Sequence, residues 1–261
     1  MLTYPHIDPV IFRIGPLSVR WYGLMYLLGF LVAYFLIRYL ARLRRLEITS
    51  DQVADLLFYC VIGVIVGGRL GYVLFYDPIF YFKHPLLIFA VWQGGMSFHG
   101  GLLGVVVAVL LWCRRTGTNI LMTGDILVTA ASVGLGLGRI GNFINGELWG
   151  RTTGLPWGMV FPGGGPVPRH PSQLYEAFLE GIVLFCLLMF LHFRRVATGI
   201  PFFAFLAGYG CFRFLIELVR EPDAHLGYLW DMVTMGQLLS IPMIIVGILG
   251  IYLCWRRGAR R

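Results

Sequence analysis

Long apolar stretches, separated by short polar or basic segments, dominate the pattern of this chain. A helix needs about 20 mostly apolar residues to cross the hydrocarbon layer of a membrane. Seven stretches meet this requirement, near residues 20–39, 53–76, 86–112, 120–139, 174–192, 200–219 and 236–255. The pattern therefore predicts an all-α integral membrane protein with about seven transmembrane helices. It also predicts a single polytopic membrane domain over residues 1–261.

The composition agrees with this prediction. The chain has 58% hydrophobic and 13% charged residues, whereas a soluble globular domain has about 25% charged residues. The largest segment between predicted spans covers residues 140–173, and its many glycines and prolines predict an ordered, turn-rich loop region. The five cysteines show no CxxC spacing, so they predict neither a disulfide framework nor a metal site.

The basic residues indicate how the chain is oriented in the membrane. If the spans alternate, twelve of the 21 lysines and arginines fall on one side: Arg38, Arg42, Arg44, Arg45, Arg114, Arg115, Arg194, Arg195, Arg256, Arg257, Arg260 and Arg261. Six fall on the other side: Arg13, Arg20, Lys83, Arg151, Arg169 and Arg220. Cytoplasmic loops carry the excess of basic residues, so the N-terminus is expected outside and the C-terminus in the cytoplasm. This bias also accounts for most of the net charge of +8, and no nucleic-acid partner is predicted.

Three arginines, Arg69, Arg139 and Arg213, fall within or at the ends of the predicted spans. Such a residue costs at least about 2.5 kcal/mol unless it finds a partner, water or an anion. At about 1.5 Å per residue they lie about 24, 29 and 20 Å from the cytoplasmic starts of their spans. Arg213 has a candidate internal salt-bridge partner in Glu217, four residues later, and Arg220 follows three residues after Glu217, so these neighbours share a helix face. Three arginines at similar depth also suit a site for a phosphate at headgroup level.

The third predicted span contains a histidine. The stretch WQGGMSFHGGLLG, residues 92–104, places His99 among five glycines, about 20 Å below the outer start of the span. A lone buried histidine is more often a structural hydrogen-bonding residue than a catalyst, whereas flanking glycines allow another chain or a ligand to approach closely. Ser97 does not lie in the GxSG pattern of an intramembrane serine protease, so it is not assigned as a nucleophile.

Residues 136–141 read GLGRIG and match the dinucleotide-binding pattern G-x-G-x-x-G. That motif follows a strand and precedes an acidic residue about 20 positions later, whereas here a membrane span precedes it and residues 158–161 read GMVF. The dinucleotide interpretation is therefore rejected. The glycines are interpreted as helix-packing residues: Gly134, Gly136, Gly138 and Gly141. The polar residues near the outer interface need another explanation: Arg139, Asn142, Asn145 and Glu147.

The motif GRIGNFINGELWGR, residues 138–151, resembles the signature of the bacterial phosphatidylglycerol:prolipoprotein diacylglyceryl transferases. Other motifs of this family are matched in order along the chain: VRWYGLMY (19–26), GGRLGYVLFY (67–76), GGMSFHGGLLG (94–104), RHPSQLYE (169–176) and YGCFRFLIELVREPD (209–223). Only the last span and the basic tail carry little family information. The resemblance implies a multi-pass protein of the bacterial inner membrane, with residues 140–173 forming a periplasmic loop region.

The resemblance also implies the reaction. Family members transfer the diacylglyceryl group of phosphatidylglycerol to the lipobox cysteine sulfur of a prolipoprotein, so the nucleophile arrives with the substrate. Neither a metal nor another cofactor is expected. His99, Arg139 and Arg213 map to the catalytic positions, with the two arginines binding the phosphate on the periplasmic side. His99 is a candidate general base because imidazole titrates near neutral pH. A cationic His99, or one that only positions the lipid, fits the sequence equally well, and a water or a carboxylate is then the base.

Further residues are expected to contact the substrates. Asn142, Asn145 and Glu147 are expected to orient the lipid headgroup. Supporting candidates are Tyr22, Arg69, Tyr72, Tyr209, Glu217 and Arg220. A lipid transporter or flippase should show internal repeats, broken helices or polar groups on the cytoplasmic side, whereas the polar residues here concentrate on the outer side. An intramembrane protease or a CDP-alcohol phosphatidyltransferase needs serine-histidine or multi-aspartate signatures that the sequence lacks. A purely structural helix bundle is the remaining alternative.

Overall fold

The computed structural model describes residues 2–5, 7–15, 17–221 and 233–258. The elements in chain order are the strands β1 (Val10–Ile14) and β2 (Leu17–Arg20) and the helices α1 (Trp21–Leu43), α2 (Ser50–Phe75), α3 (Pro78–Lys83), α4 (Phe98–Thr116), α5 (Ile120–Asn145), α6 (Ser172–Glu176), α7 (Leu184–Phe193), α8 (Ile200–Ile216) and α9 (Met235–Gly258). Two short 3-10 turns, Pro85–Phe89 and Val91–Gln93, lie between α3 and α4, and a π-helical segment, Ala177–Val183, joins α6 to α7.

Six helices of the described chain are long and apolar enough to cross a membrane. They are α1, α2, α4, α5, the continuous helix Ser172–Phe193 and α9, and α8 is a shorter apolar helix of 17 residues. The predicted all-α, multi-span membrane fold is therefore confirmed. The organisation as a single domain stays a prediction. Backbone contacts divide the chain into a larger unit, Met1–Arg44 with Gly124–Arg261, and a smaller unit, Arg45–Thr123.

The start of the third predicted span is wrong. The apolar pattern places it at residue 86, but α4 begins at Phe98. Short 3-10 turns precede α4, and Gly94 and Gly95 have φ angles of 84° and 74°, which interrupt a right-handed helix. Hydropathy measures apolar content and not helix continuity. His99 consequently lies exposed in the first turn of α4, and not about 20 Å inside a span.

Two further boundaries differ from the sequence pattern. Helix α5 continues to Asn145, so residues 140–145 of the predicted loop region are helical. The residues before α1 form an antiparallel hairpin of β1 and β2, in which Ile14 pairs with Leu17. Gly15 makes the turn between the strands with a φ of 59°, a conformation that glycine adopts at little cost.

In the larger unit, glycines of the 134–141 run allow close packing on α5. A methyl group added at Gly136 would lie 3.1 Å from the Cα of Gly181 in the π-helical segment, and one at Gly141 would lie 2.8 Å from the ring of Tyr22. The helix-packing interpretation is confirmed for these two glycines. An added methyl group would meet nothing within 4 Å at the other two glycines of the run, Gly134 and Gly138.

In the smaller unit, α2 and α4 pack through facing glycines. A methyl group added at Gly71 would lie 2.8 Å from the Cα of Gly100. Ser97 caps α4, because its hydroxyl accepts a hydrogen bond from the Gly100 N–H at 3.2 Å, and its own N–H donates to the Gly68 carbonyl at 2.8 Å. The start of α4, which carries His99, is therefore fixed on α2.

Candidate active site

Two arginines of the larger unit share one buried carboxylate. Arg139 lies in the carboxyl-terminal part of α5, Arg213 in that of α8, and Glu176 is the last residue of α6. Glu176 Oε2 lies 3.0 Å from Arg139 Nε, and Glu176 Oε1 lies 2.6 Å from Arg213 Nη1. Glu176 is fully buried, whereas 18% of the Arg139 side chain and 13% of the Arg213 side chain are exposed. The structure thus brings the two predicted arginines together at one point.

Further side chains extend this contact into a buried ion cluster. Arg213 also pairs with Glu217, four residues later on the chain, and Thr234 Oγ1 donates to Glu217 Oε2 at 2.7 Å. Arg220 Nη1 lies 3.5 Å from Glu217 Oε1, and Arg220 Nε lies 4.0 Å from Glu176 Oε1. The internal salt bridge anticipated for Arg213 is present, and it coexists with the contact to Glu176.

Glu180 adds another carboxylate to the cluster. It lies one helical turn after Glu176, is fully buried, and places Oε2 4.0 Å from Arg139 Nη2. Neither carboxylate oxygen of Glu180 has a hydrogen-bond partner among the described residues. The described cluster then holds three arginines and three glutamates: Arg139, Arg213, Arg220, Glu176, Glu180 and Glu217. Carboxylates beside the guanidiniums reduce the large cost of burying charged groups.

The position of Glu176 follows from the start of its helix. Ser172 Oγ donates to the Leu148 carbonyl at 3.0 Å, and Gln173 Nε2 donates to the Glu147 carbonyl at 2.6 Å. Leu148 has a φ of 59°, which is uncommon for a residue other than glycine, so these bonds hold a strained turn. The stretch RHPSQLYE therefore connects the polar turn after α5 to the arginine pair.

The end of α5 and the turn after it form the predicted polar cluster. Glu147 Oε1 accepts hydrogen bonds from Asn142 Nδ2 at 2.9 Å and from Asn145 Nδ2 at 3.1 Å. Asn142 is buried and Glu147 is exposed. The Tyr4 hydroxyl lies 2.7 Å from the Phe143 carbonyl and 3.0 Å from the Ile144 carbonyl, both of which can accept its hydrogen bond, so Tyr4 contacts the last turn of α5. Burial raises the pKa of Tyr4, and the hydroxyl therefore stays protonated as a donor.

The segment between α5 and α6 is ordered and turn-rich, as predicted. Arg151 Nε donates to the Arg220 carbonyl at 3.0 Å, so this segment is joined to the end of α8. The Arg169 guanidinium lies 4.1 Å from the ring centroid of Trp149, a cation–π contact. Burial lowers the pKa of His170, which favours the neutral form of its imidazole.

The larger unit also contains two of the predicted tyrosines. The Tyr22 hydroxyl lies 3.3 Å from the Tyr26 hydroxyl, and Tyr22 borders an open groove of about 520 Å³ that is lined by residues between 18 and 27. Tyr209 lies one helical turn before the arginine of α8, and its ring stacks on Phe205 with centroids 5.8 Å apart. Tyr22 thus faces an open, mainly apolar groove, whereas Tyr209 packs beside the ion cluster.

In the smaller unit, Arg69 is used to hold the backbone. Its Nε donates to the Ile88 carbonyl at 2.8 Å, and Nη2 donates to the Leu87 carbonyl at 2.6 Å. Nη1 donates to the carbonyls of Gly94 at 2.6 Å and Gly95 at 3.1 Å. Arg69 is only 4% exposed, so its guanidinium organises the segment between α3 and α4. Its contact with a lipid headgroup stays a prediction.

The other two predicted residues of the smaller unit lie on either side of this segment. The Tyr72 ring stacks on Tyr76 with centroids 5.1 Å apart, and it packs against Gly95. His99 is exposed, and its ring centroid lies 5.5 Å from that of Phe98. His99 is therefore not the buried structural histidine that the sequence left open, and its role as a base stays a prediction.

Glu176 and Glu180 are the residues of the ion cluster that the sequence analysis missed. Both lie in the predicted span 174–192 and are four residues apart, so they share a helix face. A carboxylate inside a span is costly for the same reason as an arginine. The reasoning that singled out the arginines would also have identified these acids. Tyr4 gave no such signal, since its bonding partner Phe143 is 139 residues away.

Comparison with known proteins decides the family. The family model described as prolipoprotein diacylglyceryl transferase matches residues 9–253, which is most of the chain. The chain belongs to the prolipoprotein diacylglyceryl transferase family. The resemblance that the sequence motifs indicated is thereby confirmed. The last residues of one motif, Pro222 and Asp223, and the tail residues Arg260 and Arg261 lie outside the described residues.

Several relatives in this family are closely similar over nearly their whole length. The phosphatidylglycerol-prolipoprotein diacylglyceryl transferase of Geobacter sulfurreducens is 58% identical over 256 residues, which cover 98% of each chain. The proteins of the same name from Aliivibrio salmonicida and Vibrio cholerae are each 53% identical over 257 residues. These matches cover 98% of this chain and 91% and 95% of the two relatives.

The role of Arg69 in organising the segment between α3 and α4 is testable in this protein. Arg69→Met removes four hydrogen bonds to backbone carbonyls, and hydrogen bonds to charged groups contribute about 1.5–3 kcal/mol each. Amide hydrogen exchange in residues 85–97 is therefore expected to accelerate by about tenfold or more, as measured by mass spectrometry in detergent micelles. Arg114→Met, which removes an exposed arginine of the same unit, is the control. Unchanged exchange in the Arg69 variant would contradict the role.

Proposed function

We propose that this chain transfers the diacylglyceryl group of phosphatidylglycerol to the lipobox cysteine sulfur of a prolipoprotein, forming a thioether and releasing glycerol phosphate. Family membership and the names of the relatives, which state both substrates, support this proposal. The observation that carries the site is the pair of guanidiniums, on different helices, that share one buried carboxylate. Guanidinium groups bind phosphate through charge-assisted hydrogen bonds.

The reaction places three demands on the site. The substrate thiol, whose unperturbed pKa is about 8.5, must lose its proton to a base. The sulfur then attacks the glycerol carbon that carries the phosphate, a carbon–sulfur bond forms, and the carbon–oxygen bond breaks with its electron pair leaving on the phosphate. Fixed donors that face this developing charge lower the barrier. Water must also be excluded, so that it does not replace the thiol.

The side chains of the larger unit meet the demand for anion binding. Arg139 and Arg213 bind the phosphate of the lipid and neutralise the charge that develops on the leaving group. Asn142, Asn145 and Glu147 orient the headgroup, because amide and carboxylate groups can hydrogen-bond the glycerol hydroxyls. Further contacts to the substrates come from the supporting residues Tyr22, Arg69, Tyr72, Tyr209, Glu217 and Arg220.

His99 is the proposed general base for the thiol. It is exposed at the start of α4, in the motif GGMSFHGGLLG of the family. A neutral imidazole can accept the thiol proton near neutral pH. A water or a carboxylate that accepts this proton is the alternative base.

The protein is placed in the bacterial inner membrane, with a periplasmic N-terminus, a cytoplasmic C-terminus and the active site towards the periplasm. The distribution of basic residues supports this orientation, since twelve of the 21 fall on the side assigned to the cytoplasm. Arg139 and Arg213 lie towards the carboxyl-terminal ends of α5 and α8, which this orientation directs outwards.

Removing either arginine of the site should abolish most of the transfer. Arg139→Ala and Arg213→Ala are each expected to lower the rate by about 100-fold or more, because each removes a donor to the departing phosphate. The assay follows radiolabel in the diacylglyceryl group of phosphatidylglycerol, and not in the headgroup glycerol that leaves with the phosphate, to a lipobox peptide in membranes. Arg42→Ala, which removes an exposed arginine of α1, is the control. Near-normal turnover in both variants would show that the phosphate clamp, which is Arg139 and Arg213 acting together on the lipid phosphate, is wrong. An unlabelled peptide with the unsubstituted protein would refute the transferase proposal.

The role of His99 is tested by the pH dependence of the transfer rate. His99→Gln is expected to lower the transfer rate most near neutral pH, where the thiol needs a base to lose its proton, and least towards about pH 9, where a thiol of pKa about 8.5 ionises without one. Rates are compared across about pH 5 to 9, a range in which the free thiol goes from protonated to largely ionised. His84→Gln serves as the control, since His84 is another exposed histidine of the smaller unit. A rate that the substitution leaves unchanged removes His99 as the base.

The orientation is tested by labelling two exposed positions. Lys83→Cys should react with a membrane-impermeant maleimide from outside the cell, and Arg194→Cys only after the cytoplasm is opened. Both positions are exposed, and the unsubstituted chain, with exposed Cys186 and Cys211, provides the baseline. Labelling of position 194 from outside would overturn the orientation.

A further inference from the structure

We propose that Glu176 is the positioning residue of the phosphate clamp: its buried carboxylate holds Arg139 and Arg213 side by side before the lipid arrives. This inference rests on the proposed function, because it concerns the same arginines. Each oxygen of Glu176 contacts a different arginine, Oε2 at 3.0 Å from Arg139 Nε and Oε1 at 2.6 Å from Arg213 Nη1. One side chain therefore sets the spacing of two guanidiniums that belong to different helices.

Burial separates the function of Glu176 from that of its partners. Glu176 is fully buried, whereas Arg139 and Arg213 retain 18% and 13% side-chain exposure. An incoming phosphate therefore meets the guanidiniums before it meets the carboxylate. A guanidinium has five N–H donors. The contact with Glu176 engages Nε of Arg139 and Nη1 of Arg213, and Glu217 engages Nη2 of Arg213. Donors thus remain on both arginines for the lipid.

The charge of Glu176 is needed as well as its shape. Two guanidiniums repel each other, and the repulsion is larger in the low dielectric of a protein within a membrane than in water. A buried arginine without a counter-ion is strongly destabilising. The carboxylate offsets both the repulsion between the guanidiniums and the cost of burying them, so the two arginines can stay together before the lipid binds. Donors that are fixed in advance do not have to be ordered when the lipid phosphate binds, which favours a low KM for the lipid.

Two residues that precede Glu176 in α6 hold this helix in place. Ser172 and Gln173, four and three residues earlier, donate to the carbonyls of Leu148 and Glu147. The same turn carries the Glu147 side chain that accepts from Asn142 and Asn145. The arginine pair and the polar turn are therefore connected through one short helix.

The opposite role is also testable. Glu176 could occupy the arginines in place of the phosphate and have to release them when lipid binds. Removing the carboxylate would then strengthen lipid binding, whereas loss of a positioning residue weakens it. The two roles thus predict opposite changes in the KM for phosphatidylglycerol.

The experiment measures initial rates of transfer against phosphatidylglycerol concentration, with a lipobox peptide in mixed detergent micelles. Glu176→Gln keeps the shape of the side chain and removes its charge, and it is expected to raise KM by about tenfold or more with a smaller change in kcat. Glu176→Asp keeps the charge and shortens the reach, so an intermediate KM is expected. Glu221→Gln is the matched control: Glu221 also pairs with an arginine, Arg169 at 3.0 Å, but is 45% exposed, and its KM should stay at the unsubstituted value.

The outcomes separate this inference from the proposed function. If Arg139→Lys and Arg213→Lys both leave KM unchanged, the clamp itself is wrong. If they raise KM while Glu176→Gln leaves it unchanged or lowers it, the clamp stands and the positioning role of Glu176 is overturned. Thermal unfolding of each variant shows whether it is folded. Should Glu176→Gln not fold, Glu176→Asp decides, since a raised KM supports the role and an unchanged KM overturns it.

Discussion

The carboxylate of Glu176, shared by Arg139 and Arg213, is the contact on which the site of the larger unit depends. Two guanidiniums pack together in an apolar environment only when a counter-charge lies between them, because their repulsion grows as the dielectric constant falls. Glu176 supplies that charge from α6, so α5, α6 and α8 have to meet at one place. Glu217 and Thr234 extend the same network to the residue before α9.

This meeting point constrains the backbone around it. The π-helical segment that follows Glu176 lies so close to α5 that a methyl group at Gly181 would come within 2.7 Å of the Cα of Gly136. The chain that leaves α5 must also return to the start of α6, which the bond from Gln173 to the Glu147 carbonyl secures. The arginine pair, the polar turn and the close helix packing are thus parts of one arrangement, and the proposed chemistry uses the donors that it leaves exposed.

Site residues can be predicted from the sequence where burying a residue type in a membrane span costs free energy or where a motif is specific to a family. Arg139 and Arg213 were identified because a charge in a span needs a partner, and both belong to the ion cluster. Sequence reasoning failed where the partner decides the role. Burying Arg69 in a membrane span costs as much free energy as burying the other two arginines, and its predicted depth in the membrane is similar. Its guanidinium nevertheless bonds to backbone carbonyls. The start of α4 was misplaced because apolar content does not reveal the turns at Gly94 and Gly95.

The sequence by itself determined the membrane fold and the family, because apolar length is a local property and the motifs are contiguous stretches of chain. It also determined which charged residues lie in the membrane spans, where burying a charge costs free energy. Only the tertiary structure decided that Arg139, Glu176 and Arg213 form one contact. They come from three separate helices, and the pairing of buried charges depends on how those helices pack and not on the spacing of residues along the chain.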